Sequence, residues 1–125
     1  MNIYESAEDY LETMLMLREE HGFIRSLDIA NHLGVTKPSV SYAVKTLKEN
    51  GYINVDENKL ITLTKSGLEI AERIYDRHKK LTKFFTLLGV DEKIAREDAC
   101  KIEHDISEDS FNAICKMSEK MATEK

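Results

Sequence analysis

The chain has 125 residues, with 18 Lys+Arg against 23 Asp+Glu for a formal net charge of −5, and its 42% hydrophobic and 33% charged content excludes wholesale disorder. No window approaches the roughly 18–20 apolar residues of a membrane span, Met1-Asn2-Ile3-Tyr4-Glu5 has no signal-peptide character, and two cysteines make no disulfide framework, so a cytoplasmic protein with no membrane partner is expected. Taken globally, the acidic balance argues against nucleic acid, and the local distribution of charge must answer that objection.

The spacing of Ala7, Tyr10, Leu11, Met14 and Leu17 predicts a helix from about Tyr4 to His21 with one apolar stripe, stopped by Gly22. Ser26 is the expected N-cap of a short second helix over 27–33, closed by Gly34. Thr36 caps a third helix with Pro38 in its first turn; Val40, Ala43, Val44 and Leu47 form its buried face and Asn50-Gly51 ends it. The period then changes. Residues 52–55 and 60–63 are β-branched or apolar runs on either side of Asp56-Glu57-Asn58-Lys59, a short hairpin. Thr64 caps a long helix over 65–88, with Leu68, Ile70, Ala71, Ile74, Leu81, Phe84, Phe85 and Leu88 apolar, and Gly89 breaks it. Two further helices, 91–106 and 108–121, are divided by Ser107 as an N-cap.

Two helices joined by a tight glycine turn and followed by a hairpin have the order of a winged helix-turn-helix, whose second paired helix enters the major groove of DNA. That helix offers Thr36, Lys37, Pro38, Ser39, Ser41, Tyr42, Lys45 and Lys48, and no acidic residue stands between Val35 and Lys48. Its lysines and N-terminal hydroxyls suit phosphates; Ser39, Ser41 and Tyr42 are the candidates for base edges, and Lys59 at the hairpin tip for a neighbouring phosphate. The other reading is a lysine-bearing helix pair that makes protein contacts. The net charge does not decide between them, because counterion release depends on local phosphate contacts.

In the second half, Cys100, Glu103 and His104 fall at i, i+3 and i+4, so thiolate, carboxylate and imidazole share one helical face. These are transition-metal ligand types. Asp9 and Glu12 are likewise i, i+3 in the first helix, and His78 lies near the face that carries Ile74 and Leu81. Each has a plainer alternative: a solvated face for Glu103-His104-Asp105, a small buried hydrophobe for Cys100, dipole-favoured acids for Asp9 and Glu12, and a surface position for His78 within Asp76-Arg77-His78-Lys79-Lys80.

Several segments in order make the chain resemble the diphtheria-toxin-repressor and manganese-transport-regulator family of metal-dependent transcriptional repressors: Glu8-Asp9-Tyr10-Leu11-Glu12; Asp28-Ile29-Ala30 with Val35-Thr36-Lys37-Pro38-Ser39-Val40-Ser41; Leu63-Thr64-Lys65-Ser66-Gly67; Arg77-His78; Gly89-Val90-Asp91; and Cys100-Lys101-Ile102-Glu103-His104. The resemblance implies a mainly α fold, with a winged helix-turn-helix over 1–64 and an all-helical metal-binding and dimerisation domain over 65–125. It implies Asp9, Glu12, His78, Cys100, Glu103 and His104 as ligands, a homodimer, and a pseudo-palindromic operator in double-stranded DNA. The chain is a hybrid within this pattern. Manganese-type members resemble it at Asp9 but carry Glu where Cys100 stands; iron-type members resemble it at Cys100 but carry Met where Asp9 stands. Thr82 and Arg96 occupy positions where iron-type members have further ligands, and, with Lys125 as the last residue, the extra C-terminal domain of the larger members is expected to be absent.

The expected function is therefore a repressor of metal-ion homeostasis genes, not an enzyme, activated by a divalent transition metal: Mn²⁺ ahead of Fe²⁺, with Zn²⁺ or Co²⁺ able to bind in vitro. A cation tying the first helix to the helices of the second half would set the spacing of two recognition helices across the dimer to about one DNA turn, ~34 Å. The alternative is a winged-helix regulator that responds to a small molecule or to thiol oxidation.

Overall fold

The computed structural model describes residues 5–123, in the order α1 (Glu5–His21), α2 (Ser26–Leu33), α3 (Lys37–Glu49), β1 (Ile53–Val55), β2 (Ile61–Leu63), α4 (Lys65–Leu87), α5 (Glu92–Ile102) and α6 (Glu108–Thr123). This is the mainly α, winged helix-turn-helix architecture anticipated; the predicted helix start at Tyr4 lies outside the described residues. The backbone divides into two units, Met1–Arg73 and Ile74–Lys125.

In the first unit, Leu11, Met14, Leu15 and Leu17 of α1, Ile29 of α2, Val40 and Leu47 of α3, and Ile53 and Ile61 of the hairpin are buried. Burial runs without a break from Leu11 to Leu15, wider than the single stripe predicted. Gly34, in the left-handed region at φ 68°, closes α2 with its N–H on the Ala30 carbonyl. The predicted Ser26 cap is not formed. Ile24 pairs with Ile61 beside β2, its carbonyl accepting from the Ile61 N–H at 3.0 Å. That pairing keeps the chain extended through Arg25 (φ −125°, ψ 148°), which becomes the N-cap without a side-chain bond, and Ser26 is already helical. For α3 the cap is the anticipated one: Thr36 accepts from the Ser39 N–H at 3.3 Å, and Pro38 occupies the first turn.

The hairpin is antiparallel, with Ile53 opposite Leu63 and Val55 opposite Ile61. Each strand is one residue shorter than predicted: the Tyr52 carbonyl is drawn into the join with α4, accepting from the Thr64 N–H at 3.0 Å, and Leu60 is held in the turn by Asp56. The Thr64 hydroxyl donates to the Gly51 carbonyl at 2.7 Å and accepts from the Gly67 N–H at 3.2 Å, so one side chain both caps α4 and holds the turn before β1. Gly67 lies directly against the Tyr52 carbonyl, where a Cβ would collide with the backbone. Further along α4, Arg73 pairs with the buried Glu8 of α1 at 2.7 Å.

In the second unit, Leu81, Ala99 and Phe111 form a core joined by Phe85, Ile102, Ile106, Ile114 and Cys115. Asp91 caps α5 through the Lys93 N–H. The helix ends at Ile102, four residues before the predicted 106, and Glu103 is its C-cap. The reason is distant in sequence: the buried Arg77 donates to the carbonyls of Glu103 (3.1 Å) and Ile106 (2.9 Å), satisfying acceptors that a longer helix would have bonded internally. Ser107 then caps α6 through the Ser110 N–H, as anticipated.

Candidate metal centre and nucleic-acid interface

The two sets of predicted functional residues differ in exposure. Lys37, Pro38, Ser39, Ser41, Tyr42, Lys45 and Lys48 are all exposed along α3, with Tyr42 at 73%. The α3 helix turns its apolar side inward through Val40 and Leu47, which leaves this polar, basic face to solvent. The Thr36 and Ser39 hydroxyls bond each other at 2.9 Å, which ties them at the N-terminus of α3. A groove of about 340 Å³ between α3 and the wing is lined by Ser26, Ser41, Val44, Lys45, Lys48, Val55 and Lys59. It brings three lysines and two hydroxyls together with no carboxylate among its lining, a composition suited to a phosphate backbone. Lys59 stands at the wing tip in the left-handed region (φ 64°), supported by Asp56, whose Oδ1 accepts from the N–H groups of Asn58 and Leu60. Ser26, absent from the predicted interface residues, also lines this groove from the first position of α2.

In the second unit, Glu103 is fully buried and its two carboxylate oxygens face different imidazoles: the His78 Nδ1 lies 3.0 Å from Oε2, and the His104 Nε2 lies 3.5 Å from Oε1. The His104 side chain is itself only 2% exposed. Among the described residues Glu103 Oε1 has no hydrogen-bond partner. A buried carboxylate so placed needs positive charge, and an uncharged imidazole supplies little. The separations suit shared coordination, since two donors each about 2.1 Å from one ion stand roughly 3.0 Å apart at a right angle and 3.4 Å apart at the tetrahedral angle. The oxygen and nitrogen donors therefore fit a divalent transition metal, and a thiol lies one turn earlier on α5 at the exposed Cys100.

In the first unit, Glu12 is buried and Asp9 half-buried on α1, three residues apart as predicted, next to Glu8 with its Arg73 partner. His78 is not the surface residue that its charged neighbours suggest. Arg77 is buried too, stacked at 5.1 Å over the Phe111 ring and paired with Glu108 at 2.8 Å. Sequence reasoning passed over Arg77, although a signal was present: Ile70, Ala71, Ile74 and Leu81 mark a stripe on which positions 77 and 78 also fall.

Fold and site together define a winged helix-turn-helix protein with a helical second unit that carries metal-ligand chemistry. Residues 2–60 match the iron-dependent repressor N-terminal DNA-binding domain, and residues 64–124 match the iron-dependent repressor metal-binding and dimerisation domain. An uncharacterised HTH-type transcriptional regulator of Methanocaldococcus jannaschii is 39% identical over 84% of this chain and 86% of its own length. The HTH-type transcriptional regulator MntR of Bacillus subtilis is 38% identical over 87% of this chain and 77% of its own. Among solved structures, a manganese-dependent transcriptional repressor in complex with manganese superposes with a TM-score of 0.81 at 26% identity, over 90% of this chain and 52% of that one. The chain spans about half the length of that repressor and of the T. acidophilum IdeR structure, which it also resembles. It belongs to the iron-dependent repressor family, a class of metal-dependent, DNA-binding transcriptional regulators and not of enzymes. No helix among the described residues is long and apolar enough to cross a membrane.

Proposed function

We propose that this protein is a cytoplasmic, homodimeric repressor that binds a pseudo-palindromic operator when loaded with Mn²⁺ or, second to it, Fe²⁺. Residues 1–64 read DNA, and residues 65–125 sense metal and pair the protomers. The observation that carries this reading is the buried Glu103 carboxylate between His78 and His104, with an oxygen left to a cation. Cys100 and His104 complete the donors from the second unit, and Asp9 and Glu12 are those that α1 supplies. These residues would hold the metal, which would supply the positive charge that their carboxylates need. Thr36, Lys37, Pro38, Ser39, Ser41, Tyr42, Lys45 and Lys59 are the residues that meet DNA. Carboxylates favour Mn²⁺, while Cys100 and the imidazoles draw the preference toward Fe²⁺; Zn²⁺ and Co²⁺ bind in vitro by intrinsic affinity.

The test is a DNA mobility shift on upstream regions of metal-transport genes, run with EDTA and with each divalent ion. Binding restored by Mn²⁺ or Fe²⁺ after EDTA treatment is expected, with an affinity change of about 5–150-fold. His78→Ala and Glu103→Ala abolish that response while leaving a folded dimer. DNA binding indifferent to chelator overturns the reading and points instead to a small-molecule or thiol-based signal.

A further inference from the structure

Arg77 is buried beside the candidate donors without being one of them. Arg77 is 6% exposed, yet none of its guanidinium bonds goes to the carboxylate of Glu103. Nη1 is shared between the main-chain carbonyls of Glu103 and Ile106, Nη2 pairs with Glu108 at the start of α6, and the guanidinium lies over Phe111. The residue therefore grips the α5–α6 turn at both ends. Its neighbour on α4, His78, meets the side chain of the same Glu103. Two consecutive residues of one helix thus hold Glu103 by its backbone and by its carboxylate.

We infer that Arg77 is a positioning residue for the metal centre: it fixes the turn that bears Glu103 and His104 and so sets the donor geometry before any ion arrives. This rests on the metal-dependent reading above and adds to it a residue that touches no metal. A planar guanidinium can bond two carbonyls and a carboxylate at once, whereas a lysine ammonium on a flexible stem cannot hold that fork. If the turn loosens, His104 and Glu103 must be ordered at the expense of binding, which lowers affinity even though every ligand is present.

The experiment is a Co²⁺ titration of the full chain, read by the visible absorption band and by competition with a chelator of known affinity, alongside thermal melts without metal. Wild type, His78→Ala, Arg77→Lys, Arg77→Met and Glu108→Gln are compared. Arg77→Lys should weaken Co²⁺ binding about 10–100-fold and alter the band, with Arg77→Met weaker still. Glu108, 67% exposed and not a ligand, can lose its charge without threatening the fold; Glu108→Gln should weaken binding by less, up to about 10-fold. If Arg77→Met does not fold, the other two variants decide. A purely structural role would move the melting temperature alone, so wild-type affinity and band shape in both Arg77→Lys and Glu108→Gln overturn the inference. Absence of any His78-dependent Co²⁺ band in the wild-type protein overturns the metal reading itself, and the inference with it.

Discussion

At the scale of single residues, the two cysteines differ in surroundings and should differ in behaviour. Cys100 is exposed on α5, whereas Cys115 packs against the Leu81–Phe111 core, and burial pushes its thiol pKa up, a rise that the nearby Lys80 opposes. Because only thiolate reacts, iodoacetamide near pH 8 should label Cys100 well before Cys115, with mass spectrometry following each site. A raised folded-state pKa means that the protonated Cys115 thiol favours the fold below the unfolded-chain pKa, and that this contribution is lost as pH climbs through the folded value. The labelling lag of Cys115 should accordingly shrink as pH rises. Cys100 is also the residue on which the choice of metal turns. Cys100→Glu replaces a soft sulfur by a hard oxygen and should shift activation in the DNA assay toward Mn²⁺ relative to Fe²⁺; an unchanged profile removes Cys100 from the ligand set.

At the scale of elements, the join between wing and α4 is the most constrained point in the first unit. Thr64 bonds both Gly51 and Gly67, and Gly67 has no space for a Cβ because the Tyr52 carbonyl occupies it. A rigid backbone atom cannot give way as a side chain would, so Gly67→Ala should destabilise the protein by about 1–3 kcal/mol, measured by urea unfolding. Local chemistry made this region readable in the sequence: Thr36, Thr64 and Ser107 are caps whose partners lie three residues away. What was not readable came from partners far along the chain. The α2 start shifted to Ser26 because Ile24 pairs with Ile61, and α5 stopped at Ile102 because Arg77, 26 residues before Glu103, bonds the carbonyls of Glu103 and Ile106 just beyond it. The i, i+3, i+4 spacing that singled out Cys100, Glu103 and His104 assumed one unbroken helix. The structure keeps helical backbone through Glu103 but puts His104 in the turn beyond it.

At the scale of the whole molecule, the net charge of −5 conceals an uneven distribution. Residues 1–64 hold 6 basic and 10 acidic side chains, residues 65–125 hold 12 and 13, and the groove between α3 and the wing is basic nonetheless. DNA affinity should therefore fall steeply with salt despite the acidic total, at a slope of about 0.9 per phosphate neutralised. Lys59 separates this effect from folding, since it combines a charge at the wing tip with a backbone in the left-handed region. Lys59→Asn, better suited to that conformation, should raise stability by up to about 1 kcal/mol yet reduce the salt slope of DNA binding by about 1. Denaturant melts and a salt series of mobility shifts measure the two independently.

The Thr64–Gly67 join also bears on how such a protein can be rebuilt. Chemistry changes character at residue 64, but local contacts cross that point: a chimera cut there would take the threonine from one parent and the glycine it caps from another, with Tyr52 facing an unfamiliar helix. A seam after Arg73 would keep Thr64, Gly67 and the Glu8–Arg73 pair within a single parental sequence. The transplantable DNA-reading module therefore includes the opening turns of the long helix, and exchange of operator specificity between relatives should respect that seam.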